Sequence, residues 1–118
     1  MDRRAAKELL HIHGWLLRAG DVVARGKVSY LSDGLLQEAG DSLMMKLGEA
    51  ANRLSRSEVL APDGVDWALA IANRNFIIHR YDEIDREQTW LTLSADLPAW
   101  HMSLEPLIEQ AKRALESE

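Results

Sequence analysis

The sequence predicts an all-α protein, an antiparallel four-helix bundle with a broken final helix. Three observations carry this reading. Apolar residues recur at spacings of three and four along most of the chain, the period of one helix face. Turn-forming groups (Gly26, Pro62-Asp63-Gly64 and Asp96-Leu97-Pro98) fall between those stripes. Strand-like alternation and internal repeats are both absent. A chain of 118 residues fits one domain that can bury one core, so 1–118 reads as a single helical domain.

The elements follow in order. A first helix over Arg3 to Arg25 carries Ala5, Leu9, Ile12, Leu16, Ala19 and Val23 on its inner face. Gly26 and Lys27 interrupt it, and Ser29 to Asp33 supplies side-chain oxygens that can cap the next helix. The second stripe is Leu36, Gly40, Leu43, Leu47, Ala50 and Leu54, with Gly40 and Ala50 small enough to admit a close neighbour. Asp66 is placed to cap a third helix whose stripe is Trp67, Ile71, Arg74, Ile78 and Tyr81. Asp82 to Asp85 reads as an acidic, irregular stretch, and Glu87 to Leu93 as a short helical piece. After a break at Asp96-Leu97-Pro98, the last helix places Leu97, Trp100, Leu104, Leu107, Ala111 and Leu115 inward, with Pro106 as a candidate kink.

Composition narrows the function. Hydrophobic residues are 47% and charged residues 28%, the balance of an ordered globular chain. No apolar run is long enough to span a membrane, the N-terminus lacks a secretion signal, and a cytoplasmic location is expected. The absence of cysteine excludes disulfides and thiolate metal sites. A net charge of −5 argues against a protein that coats nucleic acid, because non-specific binding to phosphates needs clustered cations. Apart from Arg3, Arg4 and Lys7 the basic residues are dispersed, so any contact with RNA must be local.

The stretch Arg74-Asn75-Phe76-Ile77-Ile78-His79-Arg80-Tyr81 is the informative one. Arg74 stands on an apolar stripe, where a guanidinium must find a partner or a cleft. On an ideal helix Arg74 and Tyr81 fall within about 20° of each other, whereas His79 lies about 140° from Arg74. Convergence of Arg and His therefore needs long side chains, a distorted turn or a second copy across a dimer axis. The residue types suit cleavage of a phosphodiester. Histidine exchanges a proton near neutral pH, arginine stabilises charge on phosphorus, and tyrosine donates a hydrogen bond or stacks on a base. No metal or other cofactor is required. Spacing alone favours a structural role, with Arg74 paired to Glu49 or another carboxylate and His79 capping carbonyls.

The chain also resembles the HepT-like branch of the HEPN ribonuclease toxins. That family's motif is Arg, a polar residue, three further residues, His, any residue and Tyr, matched here by Arg74, Asn75, His79 and Tyr81. Gly48-Glu49-Ala50, Trp67, Trp90 and Asp96-Leu97-Pro98 are further landmarks in the family's order. The resemblance implies a HEPN-like homodimer with the Arg and His of both chains lining a cleft. It implies a toxin that is a metal-independent endoribonuclease, with Arg74 and His79 catalytic and Asn75 orienting His79. It further implies an antitoxin, a minimal nucleotidyltransferase that transfers AMP to Tyr81 and so blocks RNA. A rival reading makes the chain a non-catalytic helical partner of that nucleotidyltransferase.

Remaining signals point to packing. His11 and His13 sit two apart on a helix and diverge, which disfavours a metal site. His101 reads as a surface or interface residue, and Trp15, Trp67, Trp90 and Trp100 as core or interface.

Overall fold

A computed structural model describes residues 1–56, Trp67, Ile77 and 81–116, with Tyr81 described by its backbone. Within these residues every regular element is helical. The long helices are α1 (Arg3–Ala24), α3 (Gly34–Arg56) and α5 (Leu97–Glu116). Two short ones, α2 (Lys27–Ser32) and α4 (Arg86–Leu91), join them, with a 3-10 turn at Tyr81–Glu83 and a π-helical segment at Thr92–Asp96.

Local chemistry sets the boundaries. Asp2 accepts from the Arg4 amide at 3.0 Å and caps α1. Gly26 ends that helix with φ of 90°, a left-handed conformation in which a side chain would be strained. The segment expected only to cap the next helix instead forms α2, because Gln37 donates to the carbonyls of Tyr30 and Leu31 and satisfies its C-terminal end. Asp33 does cap α3, accepting from the Leu35 amide at 2.9 Å. Asp85 caps α4 through the amides of Glu87 and Gln88.

The bundle is antiparallel. Arg53, near the end of α3, forks onto Glu8, near the start of α1, so the two helices run in opposite directions. At the other end, Leu93 in the π segment reaches Gly40 near the start of α3, so α5 sets out from where α1 finishes. The core follows the predicted stripes closely: Ala5, Leu9, Ile12, Leu16 and Ala19 from α1, Leu43, Leu47, Ala50 and Leu54 from α3, and Leu97, Trp100, Leu104 and Ala111 from α5. Each fully buried Leu or Ile among them contributes about 1.5–3 kcal/mol. Two positions shift by one residue. Val22 rather than Val23 closes the α1 stripe, and Ile108 rather than Leu107 is fully inside α5. Val23 and Leu107 stay partly buried against the core, because an apolar face about 100° wide takes in neighbouring positions.

The break expected at Asp96-Leu97-Pro98 takes the form of the π segment. Leu97 donates to the Thr92 carbonyl, one residue further back than an α-helix would allow. The wider turn gives room to the Pro98 ring, which lacks an N–H and would press on a carbonyl four residues earlier. The backbone therefore passes from α4 into α5 without a loop.

Gly40 shows how tightly this end is packed. A Cβ built there would lie 2.9 Å from Leu93 Cδ1 and 3.6 Å from the Tyr30 ring. Leu93 and Tyr30 are themselves fully buried, so neither can swing aside into solvent. Gly40→Leu is expected to lower stability by about 1–3 kcal/mol through overpacking, despite its better helix propensity. Urea unfolding followed by circular dichroism, with wild type alongside, checks this.

Candidate functional site

The frame that follows the sequence motif along the chain is built on a second buried stripe of α3: Asp41, Met44, Gly48 and Ala51. A carboxylate on such a stripe must be paired. Asp41 is 4% exposed, and Arg86 grips it with two parallel bonds, Nη1 to Oδ1 at 2.7 Å and Nη2 to Oδ2 at 3.0 Å. The bond to Asp41 holds the guanidinium well above the ordinary arginine range, with a further contribution from the Tyr30 hydroxyl. Tyr30 in turn donates to Thr89 Oγ1 at 2.6 Å, and Thr89 donates to the Arg86 carbonyl at 3.2 Å. The Trp90 ring lies against Tyr30 with centroids 5.5 Å apart. This network ties α2, α3 and α4 together directly after the 3-10 turn that Tyr81 opens. Asp41 and Arg86 are committed to each other, so neither supplies a free base or a free phosphate fork.

Of the residues the sequence nominates, Arg74, Asn75 and His79 lie outside the described residues, as do Asp66, Ile71 and Ile78 and the side chain of Tyr81. Trp67 and Ile77 are described, and both are helical and buried. Trp67 meets Trp100 of α5 edge to face, at 5.5 Å and 79°, which is a packing role for both. Both indole N–H groups are buried without a hydrogen-bond partner among the described residues, a cost that the ring contact must offset.

Glu49, offered by the sequence as an inward partner for arginine, is exposed on α3, and its charge acts on Arg53 one turn away. His11 is exposed, while His13 and His101 meet across α1 and α5, ring nitrogens 3.1 Å apart. Sequence reasoning missed that pair because the partners are 88 residues apart. It also missed Asp41–Arg86, although a carboxylate on a small-residue stripe was a usable signal. Among the described residues no group of three or more His, Asp or Glu side chains is placed to hold a metal ion. None of the described helices is long and apolar enough to cross a membrane.

Two measurements test these contacts. Asp41→Ala is expected to cost about 2–4 kcal/mol, and Arg86→Ala a similar amount, because each leaves a buried or half-buried charge unpaired. The double variant should cost clearly less than the two added together, as a double-mutant cycle of unfolding free energies would show. The His13 imidazole is pushed below its ordinary value of 6.5, first by burial and then by His101 and Lys112, with Glu109 opposing. The unfolded chain thus takes up a proton that the folded chain resists, so this stability is present above about pH 6.5 and lost on acidification. The fall in melting temperature between about pH 7.5 and about pH 5.5 should be smaller in His13→Gln than in wild type.

Comparison with known proteins adds the family. No solved structure matches the chain. The family model described as Ribonuclease HepT-like matches residues 16–114, from the middle of α1 almost to the end of α5. That span contains the motif at 74–81, the Asp41–Arg86 frame and the π segment. The chain belongs to the HepT-like ribonuclease family.

Proposed function

We propose that this chain is the toxin of a toxin–antitoxin pair, a metal-independent endoribonuclease whose active cleft forms between two copies of one helical domain. The observation that carries the proposal is a match to a ribonuclease family over residues 16–114 in a chain that keeps Arg74, Asn75, His79 and Tyr81 at the family spacing. His79 takes the proton from a ribose 2′-hydroxyl. The freed oxygen attacks the adjacent phosphorus, and the 5′-oxygen leaves with a proton, giving a 2′,3′-cyclic phosphate and a new 5′-hydroxyl end. Arg74 stabilises the charge that gathers on the phosphoryl oxygens, and Asn75 orients His79. A twofold axis brings two Arg–His sets together and concentrates positive charge on a chain whose net charge is −5.

Silencing follows from the tyrosine. A minimal nucleotidyltransferase antitoxin transfers AMP from ATP to the Tyr81 hydroxyl, releasing pyrophosphate, and the added phosphate repels RNA from the cleft. The chain acts in the cytoplasm, where RNA and ATP are both at hand.

His79→Ala is expected to lower RNA cleavage at least about a hundredfold while the helical circular dichroism is kept. Wild type expressed without the nucleotidyltransferase should arrest growth and fragment RNA, whereas the variant should do neither. Co-expression should restore growth and add one adenylate to the intact mass, an addition that Tyr81→Phe abolishes. If wild type and His79→Ala behave alike while both bind the nucleotidyltransferase, the chain is a helical binding partner and not the nuclease.

A further inference from the structure

On α1, His11, Gly14, Trp15, Arg18 and Asp21 recur at helical spacing and share one face. That face is turned toward Lys46 of α3, and between the two helices lies an open groove of about 630 Å³. This volume is within the range of small-ligand sites. Its chemistry is mixed in a particular way. The Trp15 ring is half-buried and leans on His11, with centroids 5.8 Å apart and planes tilted by 34°, which leaves an aromatic surface beside the cavity. Arg18 and Lys46 are exposed on its walls, and neither has an ion-pair partner among the described residues. Among the described residues Asp21 is the single carboxylate on the lining. A Cβ added at Gly14 would meet nothing within 4 Å, so the groove is open where α1 carries no side chain.

We propose that the groove between α1 and α3 binds one nucleotide unit, its base stacked on Trp15, its phosphate held by Arg18 and Lys46, and its sugar hydroxyls donating to Asp21. An apolar ligand would leave two cations unpaired, and a bare anion would leave the aromatic wall unused; a phosphorylated nucleoside satisfies both. On an acidic chain, two unpaired cations at one cavity form a local attraction for phosphate. The proposal draws on no residue of 74–81 and does not depend on the cleavage chemistry proposed for them. The unit it holds is either a free mononucleotide or one nucleotide of an RNA strand.

Titration of the full-length protein with AMP, followed by tryptophan fluorescence and by the Trp15 indole resonance, tests this. A short 2′-O-methylated oligoribonucleotide, which cannot be cleaved through its 2′-oxygen, forms the second arm, and inorganic phosphate the control. AMP is expected to quench fluorescence and move the Trp15 resonance, and Arg18→Glu or Lys46→Glu to weaken binding by about tenfold or more. Gly14→Leu fills the groove while improving helix propensity, so it should fold and abolish the response. Gly20→Leu makes the same helix improvement outside the groove and should bind as wild type does. Binding of the oligonucleotide but not AMP, with the same dependence on Gly14 and Arg18, assigns the site to a strand. Phosphate binding as tightly as AMP, a Gly14→Leu protein that binds normally, or no response to either nucleotide probe would overturn the proposal. So would a Trp15 signal that depends only on protein concentration, since a second copy would then occupy the groove. A chain that cleaves RNA yet fails this titration would refute the groove and leave the nuclease reading intact.

Discussion

The pairing of Asp41 with Arg86 is the constraint around which one end of this bundle is organised. An ionised carboxylate at 4% exposure is tolerable only with a cation in bonding contact, and the fork of Arg86 meets both of its oxygens. Because Arg86 is the first residue of α4, satisfying Asp41 fixes where that helix begins. Tyr30 and Thr89 complete the hydrogen bonding and bring α2 into the same cluster. A purely apolar contact at this point would allow α4 to slide; two directional bonds at 2.7 and 3.0 Å do not.

That rigidity matters for the chemistry because of chain order. Tyr81 opens the 3-10 turn, Asp85 caps α4, and Arg86 locks onto α3, all within a few residues. The last residue of the family motif is thus followed at once by anchored backbone. At the other described points near the motif, Trp67 against Trp100 and buried Ile77 are bound into the core. On the function proposed above, rate depends on positioning, and positioning requires that the chain around the motif be held.

Much of the architecture was legible in the sequence, for a reason that particular residues show. Leu9, Ile12 and Leu16, or Leu43, Leu47 and Leu54, announce their faces because burial of aliphatic side chains is local, periodic and strong. The π segment was harder. Pro98 signalled an interruption, yet whether a proline produces a loop or a one-residue adjustment depends on what the following helix must bury. Helix α2 was missed because six residues carry too little periodicity, and its stability comes from Gln37 and buried Tyr30. For the site, the order Arg74, Asn75, His79 and Tyr81 pointed to a family that the match over 16–114 bears out. Contacts between distant residues, such as Asp41 with Arg86 and His13 with His101, have no local signature and emerge only once the helices are docked.

The π turn at Thr92–Asp96 also sets the phase of the last helix. One residue is absorbed there without being passed on as rotation, so that Thr89 before it, Leu93 within it and Leu97, Trp100 and Leu104 after it stay on a single inward side. Winding the same residues as a continuous α-helix would instead turn everything beyond the segment by about 100°. Side chains now in solvent, such as Met102, would swing toward the core, and Leu104 would swing away from it. The segment thus behaves as a stored insertion: one residue of extra length that the helix holds without losing the phase between its two halves.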